Sequence, residues 1–177
     1  KIPIDFLESS DSAEVFADSL FRKCAEDCSA YDGFNAILFD GSSLVYCTNR
    51  CQGKGVRVLV PGVYGLSNHL LDTPWPKVTS VKEAMNASKA CTLDELVNGI
   101  LSFFHKRRGV INKDEVSYAE LAEELVQAIF VQLPGYQTRT STLVTLDGNV
   151  WNMTEQTHEG DSFEGIHMQC SLGKCKK

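Results

Sequence analysis

Phe34-Asn35-Ala36-Ile37-Leu38-Phe39-Asp40-Gly41-Ser42-Ser43-Leu44-Val45-Tyr46-Cys47-Thr48 is the stretch on which the fold turns. Phe34 to Phe39 is a short apolar run without proline or charge, which suits a strand rather than a helix of three turns. Asp40-Gly41 is a hairpin signal, because glycine reaches positive φ at no steric cost. Leu44 to Thr48 then returns antiparallel. After a polar loop, Asn49 to Gly55, Val56 to Val60 gives a third strand, with Arg57 alternating outward.

Working toward the N-terminus, Ser10 to Ala30 reads as a helix. Val15, Phe16, Leu20, Phe21, Cys24 and Cys28 recur at helical spacing, with Asp11 or Ser12 as its cap. Toward the C-terminus, Thr73-Pro74-Trp75-Pro76 forms a helix entrance, since proline costs little in a first turn. That helix is expected to reach about Ala90. Leu93 to Lys106 predicts another, and the capping-box pattern Ser117-Tyr118-Ala119-Glu120 opens one more, to about Phe130. Pro134-Gly135 stops it. Thr140 to Leu146 and Val150 to Glu155 are predicted strands around Asp147-Gly148-Asn149, with a last strand over Ile166 to Leu172. Hairpins dominate this order, so the sheets are expected to be mostly antiparallel. Two strand groups with helices outside predict an α+β fold, an αββα sandwich, with residues 1–177 as a single domain.

Composition narrows the class. The 177 residues are 43% hydrophobic with a net charge of -6, which fits a globular chain and disfavours a nucleic-acid surface. The basic clusters Lys106-Arg107-Arg108 and Lys174-Cys175-Lys176-Lys177 carry no interleaved aromatics and read as solvated charge. No apolar run has the length of a bilayer-spanning helix, and no signal peptide is visible, so a non-transmembrane, intracellular chain is expected. The seven cysteines, at 24, 28, 47, 51, 91, 170 and 175, lack the Cys-x2-Cys pairs of zinc or thioredoxin sites and are expected to be reduced. His69, His105, His158 and His167 show no metal spacing, and no phosphate-binding glycine loop is present, so no metal or resident cofactor is expected.

Three further segments are specific. They are Tyr31-Asp32-Gly33-Phe34-Asn35, Gly65-Leu66-Ser67-Asn68-His69-Leu70-Leu71-Asp72-Thr73-Pro74-Trp75, and Pro134-Gly135-Tyr136-Gln137-Thr138-Arg139-Thr140. Together, and in this order, they resemble the NRDE-domain family in its eukaryotic transport and Golgi organisation 2 branch, from about Phe6 to Glu155. The family's opening cysteine and its Asn-Arg-Asp-Glu motif have no counterpart here; Cys47-Thr48-Asn49-Arg50 holds an Asn-Arg pair without the acids. The resemblance therefore implies that this chain corresponds to the family's downstream part.

The resemblance also implies an N-terminal-nucleophile-hydrolase-like fold. In that chemistry the first residue attacks an amide and its α-amino group is the base. Asn68 would fall where an oxyanion donor sits, and Arg139 where a pocket arginine sits. Lys1 has no hydroxyl or thiol to act as nucleophile. The resemblance leaves two functions open. One is a non-enzymatic trafficking and homeostasis factor that binds haem or an acyl or lipid ligand through Asn68, His69, Trp75 and Arg139. It would be cytoplasmic, mitochondrial or Golgi-associated. The other is an amidase or acyl hydrolase whose nucleophilic cysteine lies elsewhere. Each residue also has a plain structural role: Asn68 as a turn cap, Trp75 as a core plug, Arg139 as half of an ion pair.

Overall fold

The computed structural model describes residues 1–88, 92–106, 108–110, 128–133, 136–159 and 162–171. It is a mixed α+β structure that divides into two compact units, Lys1–Pro74 and Trp75–Lys177.

In the first unit, α1 (Ile2–Glu8) and α2 (Ala13–Glu26) precede β1 (Asn35–Phe39), β2 (Leu44–Thr48) and β3 (Val56–Leu59). The three strands form one antiparallel sheet in the order β1-β2-β3. The register sorts the side chains by face. Leu38, Val45 and Val58 are cross-strand partners, as are Ala36, Cys47 and Val56. Helix α2 lies on this face, packing chiefly across β2 and β3. Ala13, Ala17, Leu20 and Cys24 recur every three or four residues and meet Leu38, Val45, Cys47 and Val56 in the core. Each fully buried Leu or Val there contributes about 1.5–3 kcal/mol. The other face carries Asn35, Ile37 and Phe39 with their partners Thr48, Tyr46 and Leu44.

Asp40 joins the helix to the hairpin. One carboxylate oxygen accepts the Ala13 N–H at 2.8 Å, and the other accepts the Ser42 and Ser43 N–H groups and the Ser42 hydroxyl. The Ala13 bond, followed by those from Ser43 and Ser42, holds this carboxyl far below the ordinary range. Ser12 is the N-cap of α2, one of the two caps expected. The helix stops at Glu26 rather than Ala30, because Asp27 takes the Ser29 N–H and hydroxyl at 2.9 and 2.6 Å and turns the chain. Helix α1 was not anticipated. Its Pro3 stands in the first turn, where proline is tolerated, and none of its residues is buried.

In the second unit, α3 (Pro76–Ala87) starts at the expected proline, with Trp75 as N-cap. It ends three residues before the predicted Ala90. Both the N–H and the hydroxyl of Ser88 bond the Ala84 carbonyl there. Helix α4 (Leu93–Lys106) matches its predicted span and is opened by a capping box that the sequence reading passed over. Thr92 N–H donates to the Glu95 carboxylate at 3.1 Å, and Glu95 N–H donates to the Thr92 hydroxyl at 3.3 Å.

Strands β4 (Arg108–Val110), β5 (Phe130–Leu133) and β6 (Tyr136–Gln137) form a second small sheet, in which β4 and β5 are parallel. None of the three was expected. The helix predicted from Ser117 falls mostly outside the described residues, but its end is corrected: Ala128 and Ile129 are not helical and Phe130 begins a strand. Ile129, Phe130 and Val131 favour extended backbone, and β5 gains the β4 pairing. Strands β7 (Thr140–Asp147), β8 (Val150–Glu159) and β9 (Ser162–Ser171) make a long antiparallel meander. It turns at Gly148, φ 57°, as the Asp-Gly-Asn signal implied. β8 and β9 run several residues longer than predicted because their registers continue through polar positions such as Gln156↔Gly165 and His158↔Phe163.

Candidate functional site

The segment after β3 is built by its own polar groups. Tyr64 donates its hydroxyl to the Val60 carbonyl at 2.7 Å, and the Arg57 guanidinium lies 5.4 Å from the centre of its ring. Gly65 and Asp72 then close a loop reciprocally. The Gly65 N–H donates to the Asp72 carboxylate at 2.9 Å, and the Asp72 N–H donates to the Gly65 carbonyl at 2.7 Å. Asp72 has φ 61°, a left-handed conformation that aspartate tolerates better than most residues. Its second oxygen lies 3.8 Å from Arg57.

Strand side chains fasten the loop from below. Tyr46, buried on the face away from α2, donates its hydroxyl to Asn35 Oδ1 at 2.6 Å and accepts the Leu71 N–H at 3.3 Å. Asn35 Nδ2 donates to the His69 carbonyl at 3.2 Å. Both ends of Leu70 to Thr73 are thereby fixed: the Thr73 hydroxyl and N–H both donate to the Leu70 carbonyl.

What remains at the tip is Asn68 and His69, both exposed. The Thr73 hydroxyl already donates to Leu70, so it accepts from His69 Nδ1, 3.1 Å away. The neutral imidazole inferred from this network therefore carries its proton on Nδ1 and a lone pair on Nε2. Asn68 accepts a 3.5 Å contact from Ser67 through Oδ1, and its Nδ2 donates to no group among the described residues. The loop thus offers one amide donor and one imidazole acceptor on a braced backbone.

Asn68 and His69 lie side by side in the first unit; Trp75 and Arg139 belong to the second. Trp75 is partly buried, and its Nε1 is buried without a hydrogen-bond partner among the described residues. Arg139 is exposed, and its carbonyl accepts the His158 N–H at 2.7 Å. The side chains of His105 and His167 lie outside what is described. His158 was singled out only as one of four histidines. It is 4% exposed, its Nε2 sits 2.9 Å from the Ser141 hydroxyl, and its ring meets Phe130 edge-on at 4.8 Å.

The Asn49-Arg50 pair is structural. Asn49 accepts the Phe34 N–H and donates to the Asp32 carbonyl, while the Arg50 guanidinium lies against Gly33, whose missing Cβ makes the room. Cys24, Cys28, Cys47 and Cys51 are thiols rather than disulfides. Burial pushes the Cys24 thiol up and the Cys47 thiol up to about 11. No cluster of three or more potential metal ligands exists among the described residues. Among those residues no helix is long and apolar enough to cross a membrane.

Comparison with known proteins places this geometry in a family. Residues 1–159 match the family model described as Transport and Golgi organisation 2. The human Transport and Golgi organization protein 2 homolog is 31% identical over 152 residues, covering 78% of this chain and 55% of the human protein. The mouse Transport and Golgi organization 2 homolog is 34% identical over 152 residues, covering 74% of this chain and 52% of the mouse protein. The bovine relative is 33% identical over a match of the same length. The chain spans about half the length of these curated relatives. With the family model matched over most of its length, the chain belongs to the Transport and Golgi organisation 2 family.

Proposed function

We propose that this chain acts in trafficking and Golgi organisation as a non-enzymatic carrier, and that its Gly65–Thr73 loop contributes to holding a haem or acyl-lipid cargo. The names of the relatives support the trafficking role. The cargo is what the family resemblance implies. The observation that carries a binding rather than a chemical role is the His69–Thr73 hydrogen bond, which leaves an imidazole lone pair at an exposed tip braced by Tyr46 and Asn35. An imidazole nitrogen so held would offer a ligand to haem iron, and Asn68 would supply a donor for a cargo carboxylate or carbonyl. The working place is cytoplasmic, beside Golgi or mitochondrial membranes.

The amidase alternative draws on Asn68 Nδ2 as an oxyanion donor. It needs an N-terminal nucleophile, which the Gly65–Thr73 loop does not itself contain. Cys47 is a poor substitute, because burial pushes its thiol up to about 11 and favours the protonated form near neutrality.

Titration of the folded chain with haem, followed by absorbance, tests the carrier reading. A saturable spectral change at micromolar haem is expected, weakened at least tenfold by His69→Ala. No saturable change, or an equal one in His69→Ala, refutes the assigned loop. Covalent labelling of an N-terminal cysteine in a full-length member of the family by an electrophilic amide probe would instead favour the hydrolase.

A further inference from the structure

The first unit carries four free thiols that the loop does not use. Cys24 lies in the last turn of α2, Cys28 two residues beyond its end, Cys47 on β2 and Cys51 in the loop after β2. They gather where the last turns of α2 meet the β2–β3 loop, at the contact of Gly55 with the Phe21 ring. Cys24 and Cys47 share one buried core. Their electrostatics reflect this closeness. Burial raises the Cys24 thiol, the Lys23 ammonium lowers it, and Cys28 raises it further. Burial raises Cys47, and Cys24, Asp18 and Cys51 add to that.

Bonding separates the four thiols into two kinds. Cys47 Sγ donates to the Ala17 carbonyl at 3.7 Å, and Cys51 Sγ to the Gly53 carbonyl at 3.9 Å. Cys24 and Cys28 donate to no group among the described residues. Cys28 is exposed and Cys24 is 9% exposed. Residues four apart on a helix face hold their Cβ atoms about 5–6 Å apart, against about 3.5–4.5 Å in a disulfide, so a bridge here asks for a shift of about 1–2 Å. The backbone that must yield is already non-helical, because Asp27 ends α2 at φ -133° and ψ 96°. Cys47 and Cys51 have the same spacing without that freedom: Cys47 is paired with Ala36 on one side and Val56 on the other. Lys23 stays beside Cys24, its Nζ 5.7 Å from the centre of the Tyr31 ring. When the last turn frays, the effect of burial is relieved and the lysine charge remains to favour the Cys24 thiolate.

We propose that Cys28 and Cys24 are a reversible oxidation site, with exposed Cys28 as the thiol that meets hydrogen peroxide and buried Cys24 as the thiol that resolves it into a disulfide. The Cys28 thiolate attacks one peroxide oxygen, the O–O bond breaks, and the departing hydroxide takes a proton to become water, leaving a sulfenic acid. The Cys24 thiolate then attacks the Cys28 sulfur. The S–O bond breaks, and the hydroxyl leaves as water with the proton that Cys24 gave up. Two thiols lose two electrons in all, and one peroxide becomes two waters. Cys24 reaches its partner only as the last turn opens. An intramolecular thiol is at a far higher effective concentration than a dilute reagent, so rare openings suffice. The bridge draws Cys24 out of the core it shares with Leu20, Cys47 and Val56, and so loosens the end of α2 from the sheet.

Non-reducing peptide mapping of the folded chain after brief exposure to a small excess of hydrogen peroxide tests this. A protease that cuts after glutamate separates the two cysteines at Glu26, so their bridge appears as two joined peptides lacking two hydrogens. That species is expected to be the main oxidised product of the first unit and to be released by dithiothreitol. In Cys24→Ala, dimedone is expected to trap at least tenfold more Cys28 sulfenic acid than in the parent, because the resolving thiol is gone. The mapping uses the parent chain alone, so it decides the matter even where Cys24→Ala fails to fold. A bridge from Cys28 to Cys51, from Cys24 to Cys47, or between two chains overturns the proposal. So does Cys28 that stays a thiol, or that passes to sulfinic acid with no bridge, which would place Cys24 out of reach. None of these readouts depends on haem, so the thiol pair and the His69 loop stand or fall separately.

Discussion

Removing one oxygen atom, in Tyr46→Phe, tests whether the Gly65–Thr73 loop is positioned by the sheet beneath it. The hydroxyl donates to Asn35 at 2.6 Å and accepts from the Leu71 N–H at 3.3 Å. The side chain is 7% exposed, so phenylalanine fills the same space and leaves both partners short of a bond. A net hydrogen bond contributes about 1 kcal/mol, and an unsatisfied buried partner costs about 1–3 kcal/mol. The 2.6 Å bond dominates, and the longer one adds a fraction. Tyr46→Phe is therefore expected to destabilise the chain by about 1–2 kcal/mol in urea unfolding, with the slope unchanged because no core surface is lost. If the loop opens locally, exchange of the Leu71 amide rises about tenfold for each 1.4 kcal/mol. A double-mutant cycle with Asn35→Ala should return a coupling of about 0.5–1.5 kcal/mol, since the two side chains touch. If Tyr46→Phe is within about 0.3 kcal/mol of the parent and Leu71 exchanges at its original rate, the loop is held by its own closure and the brace is not a support.

Other sites give sharper contrasts. Asp72→Asn keeps an oxygen for the Gly65 N–H and tolerates the left-handed backbone, so the Arg57 ion pair is weakened at an expected cost below about 1 kcal/mol, shrinking further in salt. Asp72→Ala removes the acceptor as well and should cost about 1–3 kcal/mol by urea unfolding. Gly55→Ala places a Cβ against the Thr48 carbonyl and the Phe21 ring, and overpacking of about 1–3 kcal/mol is expected as a lower thermal midpoint. Asp40 has a folded carboxyl depressed well below its unfolded value near 4. Its contribution is therefore fully present above pH ~4 and is lost as pH falls toward the folded value. Asp40→Asn should flatten the acid limb of stability between about pH 4 and pH 2, and an unchanged limb would contradict the assignment. In thiol mapping at pH 7.5, Cys28 should label quickly, while Cys24 and Cys47 should label only after denaturant is added.

How far the sequence could be read depended on where the determining contacts lie. β1, β2 and β3 were legible within a residue because each is an apolar run bounded by turn residues, and Asp40-Gly41 places the turn. The start of α3 was legible for the same local reason, a proline at the first turn. β4, β5 and β6 were not. They are two to four residues long, and β4 is paired with β5 across some twenty residues of chain, so no periodicity announces them. The end of α2 failed differently: Asp27 and Ser29 are compatible with a helix by pattern, and only the side-chain bonds between them decide against it. At the site, Asn68 was chosen through resemblance and His69 for standing next to it in the chain. Tyr46 and Asp72, which hold their loop, carried no signal beyond being a strand tyrosine and a loop aspartate. Arg139, like Asn68, was chosen through resemblance; Trp75 and Arg139 belong to the second unit.

The most recognisable letters of the loop are spent on its construction. Gly65 gives its N–H and carbonyl to Asp72, Asp72 takes the left-handed turn, and Thr73 folds back on Leu70. Trp75 and Pro76 start a helix. A pattern of this kind identifies a family because a closed loop tolerates few substitutions, whether or not a reaction occurs there. Asn68 and His69 are the exposed polar side chains that this construction leaves over, and the proposed binding role rests on them. Of these, Asn68 is common to both functional readings, as a donor to an oxyanion or to a cargo oxygen. His69 separates them. A Nδ1–H donated to Thr73 leaves the Nε2 lone pair for the proposed metal-bearing cargo, whereas an amine-based nucleophilic mechanism would not use it. Thr73→Val is accordingly the decisive substitution for the carrier reading. It removes the acceptor that fixes the tautomer and the hydroxyl's bond to the Leu70 carbonyl while keeping the Thr73 N–H bond to that carbonyl, and should weaken haem binding severalfold while His69→Ala weakens it at least tenfold. A Thr73→Val protein that binds haem as the parent does would mean that the orientation of His69 is incidental, and the loop would revert to a structural closure of the first unit.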